Sequence, residues 1–179
     1  MKAKTRIAQG EEIITAEWRA VISAERSLGE LQAVVDSVGG MAPREQLALL
    51  LVYHRFLPDS PLQPYLCSLP VAYDSPFLWS DEKLEGKYAK SSDMYMRAVG
   101  QRMFALQQYN KFFPKLFQQY PALFDAKVHT AEVWAWALQT VVARNWLVNR
   151  REGEGDAAHV TITHALVPVA DLVNHRKGD

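Results

Sequence analysis

The stretch that decides the fold is His159-Val-Thr-Ile-Thr-His-Ala-Leu-Val-Pro-Val-Ala-Asp-Leu-Val-Asn-His175. Val160, Ile162 and His164 alternate with threonines, which is the two-residue period of a half-buried strand. Pro168 lacks a backbone N–H and fixes one backbone dihedral angle, so we expect the chain to turn shortly after the strand. The pattern therefore predicts a strand that ends in a tight turn.

Polar side chains follow this turn at Asp171, Asn174 and His175. Residues three and four apart share one face of a helical turn, so a carboxylate, an amide and an imidazole could lie together there. The pattern alone favours Asp171 as a helix cap before a polar loop, with His175 exposed near the chain end. No second His or Cys stands at ligand spacing nearby, so the sequence predicts no metal site.

Four segments of the chain resemble one protein family, in which they occur in the same order. Leu166–His175 resembles the PxxDxxNH signature of SET-domain methyltransferases, in the branch similar to Rubisco large-subunit methyltransferase. Ala3–Ile14 resembles the opening strands of that branch, Leu66–Pro70 with Pro76–Leu84 its LP…P…W…EL segment, and Trp134–Ala137 with Ala143–Trp146 its WA…SRxF helix. The resemblance covers most of the chain.

The resemblance implies an α+β fold in which a SET-like β-fold is interrupted by a mostly helical insertion and truncated at both ends. Residues 1–39 would form the N-terminal part of the SET core and residues 40–130 the insertion. Residues 131–179 would be the core segment that ends in the Asn-His motif.

The resemblance also implies S-adenosylmethionine as cofactor and protein-lysine N-methylation as activity, with a histidine acceptor left open. Asn174 and His175 would bind the cofactor, while Asp171 and Arg144 would line the cofactor and lysine pockets. Glu12 would be the cofactor-side glutamate. No catalytic acid or base is assigned, because methyl transfer from a sulfonium depends mostly on positioning and exclusion of water.

Structural explanations without a role in cofactor binding stay open for Arg144 and Glu12. Arg144 could be a cation that favours a helix C-terminus, and Glu12 could be an exposed carboxylate on a strand. Ala143 stands where the family usually has serine. The family's glycine-rich loop and a downstream tyrosine are expected to lie outside the chain, so we expect an incomplete fragment, or alternatively a non-catalytic SET-like protein-interaction module.

Composition limits the partners. The 20 basic and 20 acidic side chains among 179 residues cancel, so no bulk field favours nucleic acid or an anionic membrane. A protein or peptide substrate is the partner that we expect. Neither a run of about 18 apolar residues nor a signal-peptide core is visible, which favours a soluble cytoplasmic or nuclear protein, with an organellar address left open. Cys67 alone excludes an internal disulfide, and we expect it to be a small buried hydrophobe.

The remaining patterns predict most of the elements. Strands are expected at Ile7, Ile13–Ile14 and Val21–Ile22, and helices over Met41–Leu57, after Ser80, over Ser91–Tyr120 and after a Thr130 cap. The prolines between Pro58 and Pro70 predict an extended connector, and Pro114 is expected to bend or end its helix. The stripe of Met96, Met103, Leu106 and neighbouring aromatic residues is predicted to be core.

Overall fold

The computed structural model describes residues 5–152 and 159–173. In these ranges the chain forms seven α-helices: α1 (Ala24–Ser27), α2 (Leu31–Val38), α3 (Pro43–Phe56), α4 (Gln63–Ser68), α5 (Asp81–Glu85), α6 (Asp93–Gln119) and α7 (Ala131–Arg144). The strands are β1 (Ile22–Ser23), β2 (Asn145–Glu152) and β3 (His159–Leu166), and short 3-10 turns occupy Trp18–Ala20, Pro76–Leu78 and Ala170–Leu172. None of the described helices is long and apolar enough to cross a membrane.

Helix α3 is the centre of the core. It begins after the Gly39-Gly40 break, where both glycines have positive φ, and the Glu45 carboxylate accepts the Ala42 N–H at 2.8 Å. Every residue from Leu47 to Val52 is fully buried, because α1, α4, α7 and β3 all pack against this helix. The Leu47–Val52 stretch is apolar on every side of the helix, which is typical of a helix segment inside a domain.

The sheet is antiparallel in the order β1–β3–β2. β3 pairs with β2 from Asn145↔Leu166 to Glu152↔His159, whereas β1 pairs only at Ile22↔Leu166 and Ser23↔Ala165. The predicted strand in the deciding stretch is therefore confirmed. Its predicted buried face is wrong at Val160 and Ile162, which are 60% and 62% exposed, because only the Leu166 end of that face joins the main core.

The predicted strands at Ile7 and Ile13–Ile14 are wrong, because residues 5–17 form no strand. A strand needs a partner, and no described strand pairs with this exposed segment. The prediction at Val21–Ile22 is confirmed in part by β1.

The helical predictions from position 41 onward are confirmed with local corrections. Helix α4 forms inside the predicted extended connector, since Pro64 is acceptable in a first helical turn. Pro114 does not end α6, which continues to Gln119. The predicted core stripe of α6 is confirmed at Phe113 and Leu116, which are fully buried. It is wrong at Met96, Met103 and Leu106, which are exposed.

Helices α5 and α7 begin as the capping patterns predict. The side chain of Ser80 accepts the Lys83 N–H, and the side chain of Thr130 accepts the Val133 N–H. The expectation for Cys67 is wrong, because its thiol side chain is exposed on the short helix α4.

Candidate active site

The polar turn after β3 is built by backbone geometry. Pro168 and Val169 form the turn, and Val169 has φ 72°, a left-handed conformation that is rare for a β-branched residue. The N–H of Asp171 donates to the Val167 carbonyl at 3.0 Å, which closes the chain back on the strand end. The turn predicted at Pro168 is thus present, and it directs Asp171 inward.

Asp171 meets the last residue of α7. The Nη1 of Arg144 lies 3.5 Å from Asp171 Oδ1 and donates to the Asp171 backbone carbonyl at 3.3 Å. The Asp171 side chain is 0% exposed and that of Arg144 is 13% exposed. Helix α7 delivers the arginine here because its stripe of Trp134, Ala137 and Val141 is buried against the core.

The third member of the cluster is Tyr65 of α4. Its hydroxyl donates to Asp171 Oδ2 at 2.5 Å, so each oxygen of the carboxylate faces a different donor. Burial is the largest influence on the pKa of Asp171 and raises it, while the hydrogen bonds from Tyr65 and Arg144 act in the opposite direction. Burial and the neighbouring carboxylate raise the pKa of Tyr65 far above its ordinary value, so it remains a donor.

Arg144 retains a donor for a further group. Its Nε is buried without a hydrogen-bond partner among the described residues. Since buried donors are rarely left unpaired, this atom can still donate to one further acceptor. Next to it in sequence, Asn145 Oδ1 lies 2.9 Å from His164 Nδ1 across the β2–β3 pair.

A cleft of about 440 Å³ lies beside the polar turn. This volume is within the range of small-molecule sites, which are mostly apolar with a few polar groups. Its walls come from the 3-10 turn before β1, from α4 and from the turn after β3, and they include Arg19, Ile22, Tyr65, Pro168 and Leu172. The arrangement can hold a small cofactor against the strand exit.

The sequence-predicted residues have different outcomes. The structure brings Arg144 and Asp171 together. Glu12 lies in an exposed segment, where it accepts a hydrogen bond from Thr15, and no contact among the described residues joins it to that pair. Asn174 and His175 lie outside the described residues. In the described part of the chain no group of His, Cys, Asp and Glu could hold a metal ion.

Tyr65 was missed by sequence reasoning. It is 106 positions from Asp171, so no local period could pair the two. The available signal was its place directly before the Leu66–Pro70 segment that carries part of the family resemblance.

Curated proteins similar to this chain include actin-histidine N-methyltransferases of several mammals. The chain is 29% identical over 165 residues to an actin-histidine N-methyltransferase of Callithrix jacchus, and 28% identical over the same length to that of Homo sapiens; both alignments cover 88% of this chain and 26% of the relative. The chain thus spans about a quarter of the length of the curated relatives that it matches. No known protein-family profile matches it.

Solved structures show the same fold. The SET domain of LSMT bound to lysine and AdoHcy superposes with a TM-score of 0.67 at 23% identity, over 89% of this chain and 33% of that one. The same domain bound to methyllysine and AdoHcy gives a TM-score of 0.66 at 22% identity. The predicted α+β fold is therefore confirmed: this chain has the fold of part of a SET domain, as its resemblance to that family predicted.

Proposed function

We propose that this chain is part of a protein N-methyltransferase that uses S-adenosylmethionine. The observation that carries the proposal is the buried Tyr65–Asp171–Arg144 cluster, which closes the exit of β3 in a SET-domain fold. The AdoHcy-bound structures and the methyltransferase names of the relatives support it. The cofactor would supply an activated methyl group on a sulfonium.

The residues of this chain would bind and orient the cofactor rather than act as acids or bases. Asn174 and His175, which follow Asp171 in the sequence, would bind the cofactor, and the cluster would hold the turn that precedes them beside the 440 Å³ cleft. The free Nε–H of Arg144 would donate to a bound group. Glu12, in its exposed segment, would be the cofactor-side glutamate.

The acceptor would be a neutral side-chain nitrogen of a protein substrate. LSMT is bound to lysine and methyllysine in the solved structures, whereas the curated relatives are named for a histidine of actin. A groove of about 720 Å³ between residues 71–80, α6 and α7 offers a peptide-sized surface, with Tyr73, Trp79, Trp136, Arg102 and Glu132 among its walls. We propose lysine as the first acceptor to test and histidine as the second.

The test is methyl transfer measured by mass spectrometry with S-adenosylmethionine and two kinds of substrate, lysine-containing peptides and purified actin. The wild type should add methyl groups to one of them, and Asp171→Asn should lower the rate at least tenfold, about 1.4 kcal/mol. The matched control is Asp36→Asn, because Asp36 is an exposed carboxylate that accepts a hydrogen bond from Gln32 on α2 and lines neither the cleft nor the groove. Equal rates for the two variants would reject the assignment of the site.

The second candidate is a non-catalytic protein-interaction module. The observation that favours it is the aliphatic patch of Leu147, Val160 and Ile162, three exposed side chains on one face of the β2–β3 pair. Methyl transfer by the chain to either substrate would exclude this candidate. Binding of a protein partner that Ile162→Lys abolishes, with no methyl transfer, would favour it.

A further inference from the structure

The Asp171 carboxylate depends on a residue far away in the sequence. Its Oδ1 faces Arg144 Nη1 at 3.5 Å, a long contact, and its Oδ2 accepts from the Tyr65 hydroxyl at 2.5 Å, a short one. The short bond therefore decides how the carboxylate plane is turned. When Oδ2 is held by the tyrosine, Oδ1 is left facing the guanidinium.

No other described group can take over this task. The charged and titratable groups that influence Asp171 are Tyr65 on α4 and Arg144 at the end of α7. Tyr73 lies close enough to affect Tyr65, but its buried hydroxyl has no hydrogen-bond partner among the described residues. A fully buried carboxylate that loses its tyrosine would keep only its own backbone N–H and the long contact to Arg144.

We propose that Tyr65 is a positioning residue, whose hydroxyl fixes the Asp171 carboxylate and through it the guanidinium of Arg144 at the proposed cofactor site. The effect on cofactor binding rests on the proposed methyltransferase function. The effect of the Tyr65 hydroxyl on the Asp171 carboxylate does not depend on that function. Because α4 carries Tyr65, the helix would be coupled to the Asp171–Arg144 pair through this hydroxyl.

The Tyr65 hydroxyl also affects the ionisation of the Asp171 carboxyl group. Burial favours the neutral acid form of Asp171, and the bond from Tyr65 favours the carboxylate. Removal of the hydroxyl should therefore raise the pKa of Asp171 further. If cofactor binding needs the ionised form, the acid limit of binding should move to higher pH in the same variant.

The test compares Tyr65→Phe with Tyr53→Phe in the intact protein. Tyr53 is a matched control, since its hydroxyl also donates to a carboxylate, that of Glu30, outside the cluster. NMR titration of the Asp171 carboxyl carbon, calorimetric affinity for S-adenosylhomocysteine across pH, and kcat and KM for methyl transfer are the readouts. Tyr65→Phe should raise the Asp171 pKa and weaken cofactor binding about tenfold near its acid limit, while Tyr53→Phe stays within about twofold.

Two further variants keep the test decisive. In an Asp171→Asn background the Phe substitution should no longer alter the pH profile. Should Tyr65→Phe fail to fold, 3-fluorotyrosine at position 65, whose hydroxyl is more acidic and a stronger donor, should shift the Asp171 pKa downward instead. An Asp171 titration that is unchanged in Tyr65→Phe overturns the inference. Absence of cofactor binding by the wild type would instead reject the proposed function, while the titration still decides the role of Tyr65.

Discussion

At the scale of single residues, the molecule places a carboxylate where burial opposes its charge. Asp171 has no exposed side-chain surface, and it is compensated by the Tyr65 hydroxyl and the Arg144 guanidinium. Removal of one member of such a set leaves a buried polar group with one hydrogen bond fewer, which costs more than the original contact gains. The cluster therefore has both a stabilising and a binding role in this account.

Asp171→Ala should lower the free energy of unfolding by about 1–3 kcal/mol, because Tyr65 and Arg144 would each lose an acceptor. Urea denaturation measures this effect. Asp74→Ala is the control: its carboxylate is 77% exposed and pairs with Lys83 at the surface, so its midpoint should stay near that of the wild type. Equal midpoints for the two variants would show that the cluster stabilises nothing.

The buried ring of His129 is expected to make the folded protein less stable at acidic pH. Its ring is buried between Phe56 and Phe124, its Nδ1 accepts the Asp125 N–H at 2.9 Å, and burial lowers its pKa below the ordinary 6.5. The unfolded chain therefore takes up the proton first as pH falls, so the stabilisation is present above about pH 6.5 and is lost below it.

His129→Phe removes this proton uptake. The variant should be about 1 kcal/mol less stable at pH 7.5, where the Asp125 N–H loses its acceptor, and this deficit should shrink at pH 5.5. Urea midpoints at both pH values measure the difference. Burial also lowers the pKa values of His54 and His164, but both are present in the two proteins, so their effects cancel. A deficit that grows in acid would contradict the account.

At the scale of the elements, β3 shows what a period can and cannot predict. The alternation identified the strand, yet Leu166 is fully buried while Ile162 on the same face is 62% exposed. A period gives the two faces of a strand, but the length of face that is covered depends on the helices packed upon it. The same limit explains α6. Its apolar stripe extends beyond the elements packed against it, so Met96 and Met103 are exposed.

Leucine-to-alanine substitutions at two positions test how far other elements cover this face of the sheet. Leu166→Ala should cost about 2–5 kcal/mol of unfolding free energy, because it removes a fully buried side chain from the core. Leu147→Ala lies on the same face of the neighbouring strand but is 63% exposed, so its cost should stay within about 0.5 kcal/mol. Similar costs for the two substitutions, measured in urea, would mean that the face is covered along its length.

At the scale of the whole molecule, the sequence predicted the fold through the order of its segments. Local signals identified the long helices, the caps at Ser80 and Thr130, and the turn at Pro168. What failed depended on tertiary partners: the unpaired segment of residues 5–17, the exposure of Cys67, and the bond from Tyr65 to Asp171. Contacts between distant segments leave no periodic trace in either segment, so they could not be predicted.

The division into residues 1–39, 40–130 and 131–179 stays a prediction. Helix α7 packs against α3 and α6, both within the proposed insertion, so core and insertion share one apolar cluster. Such continuity is expected of an insertion that folds together with its host rather than as an independent unit.

The most direct test of the central claim is a calorimetric titration of S-adenosylhomocysteine into the intact protein. The account predicts saturable one-to-one binding that Asp171→Asn weakens at least tenfold and Asp74→Asn leaves unchanged. It also predicts that the ligand raises the melting temperature of the wild type, because a ligand bound only by the native state stabilises it. Absence of binding heat and of any thermal shift at millimolar ligand would contradict a cofactor site at Asp171 and Arg144.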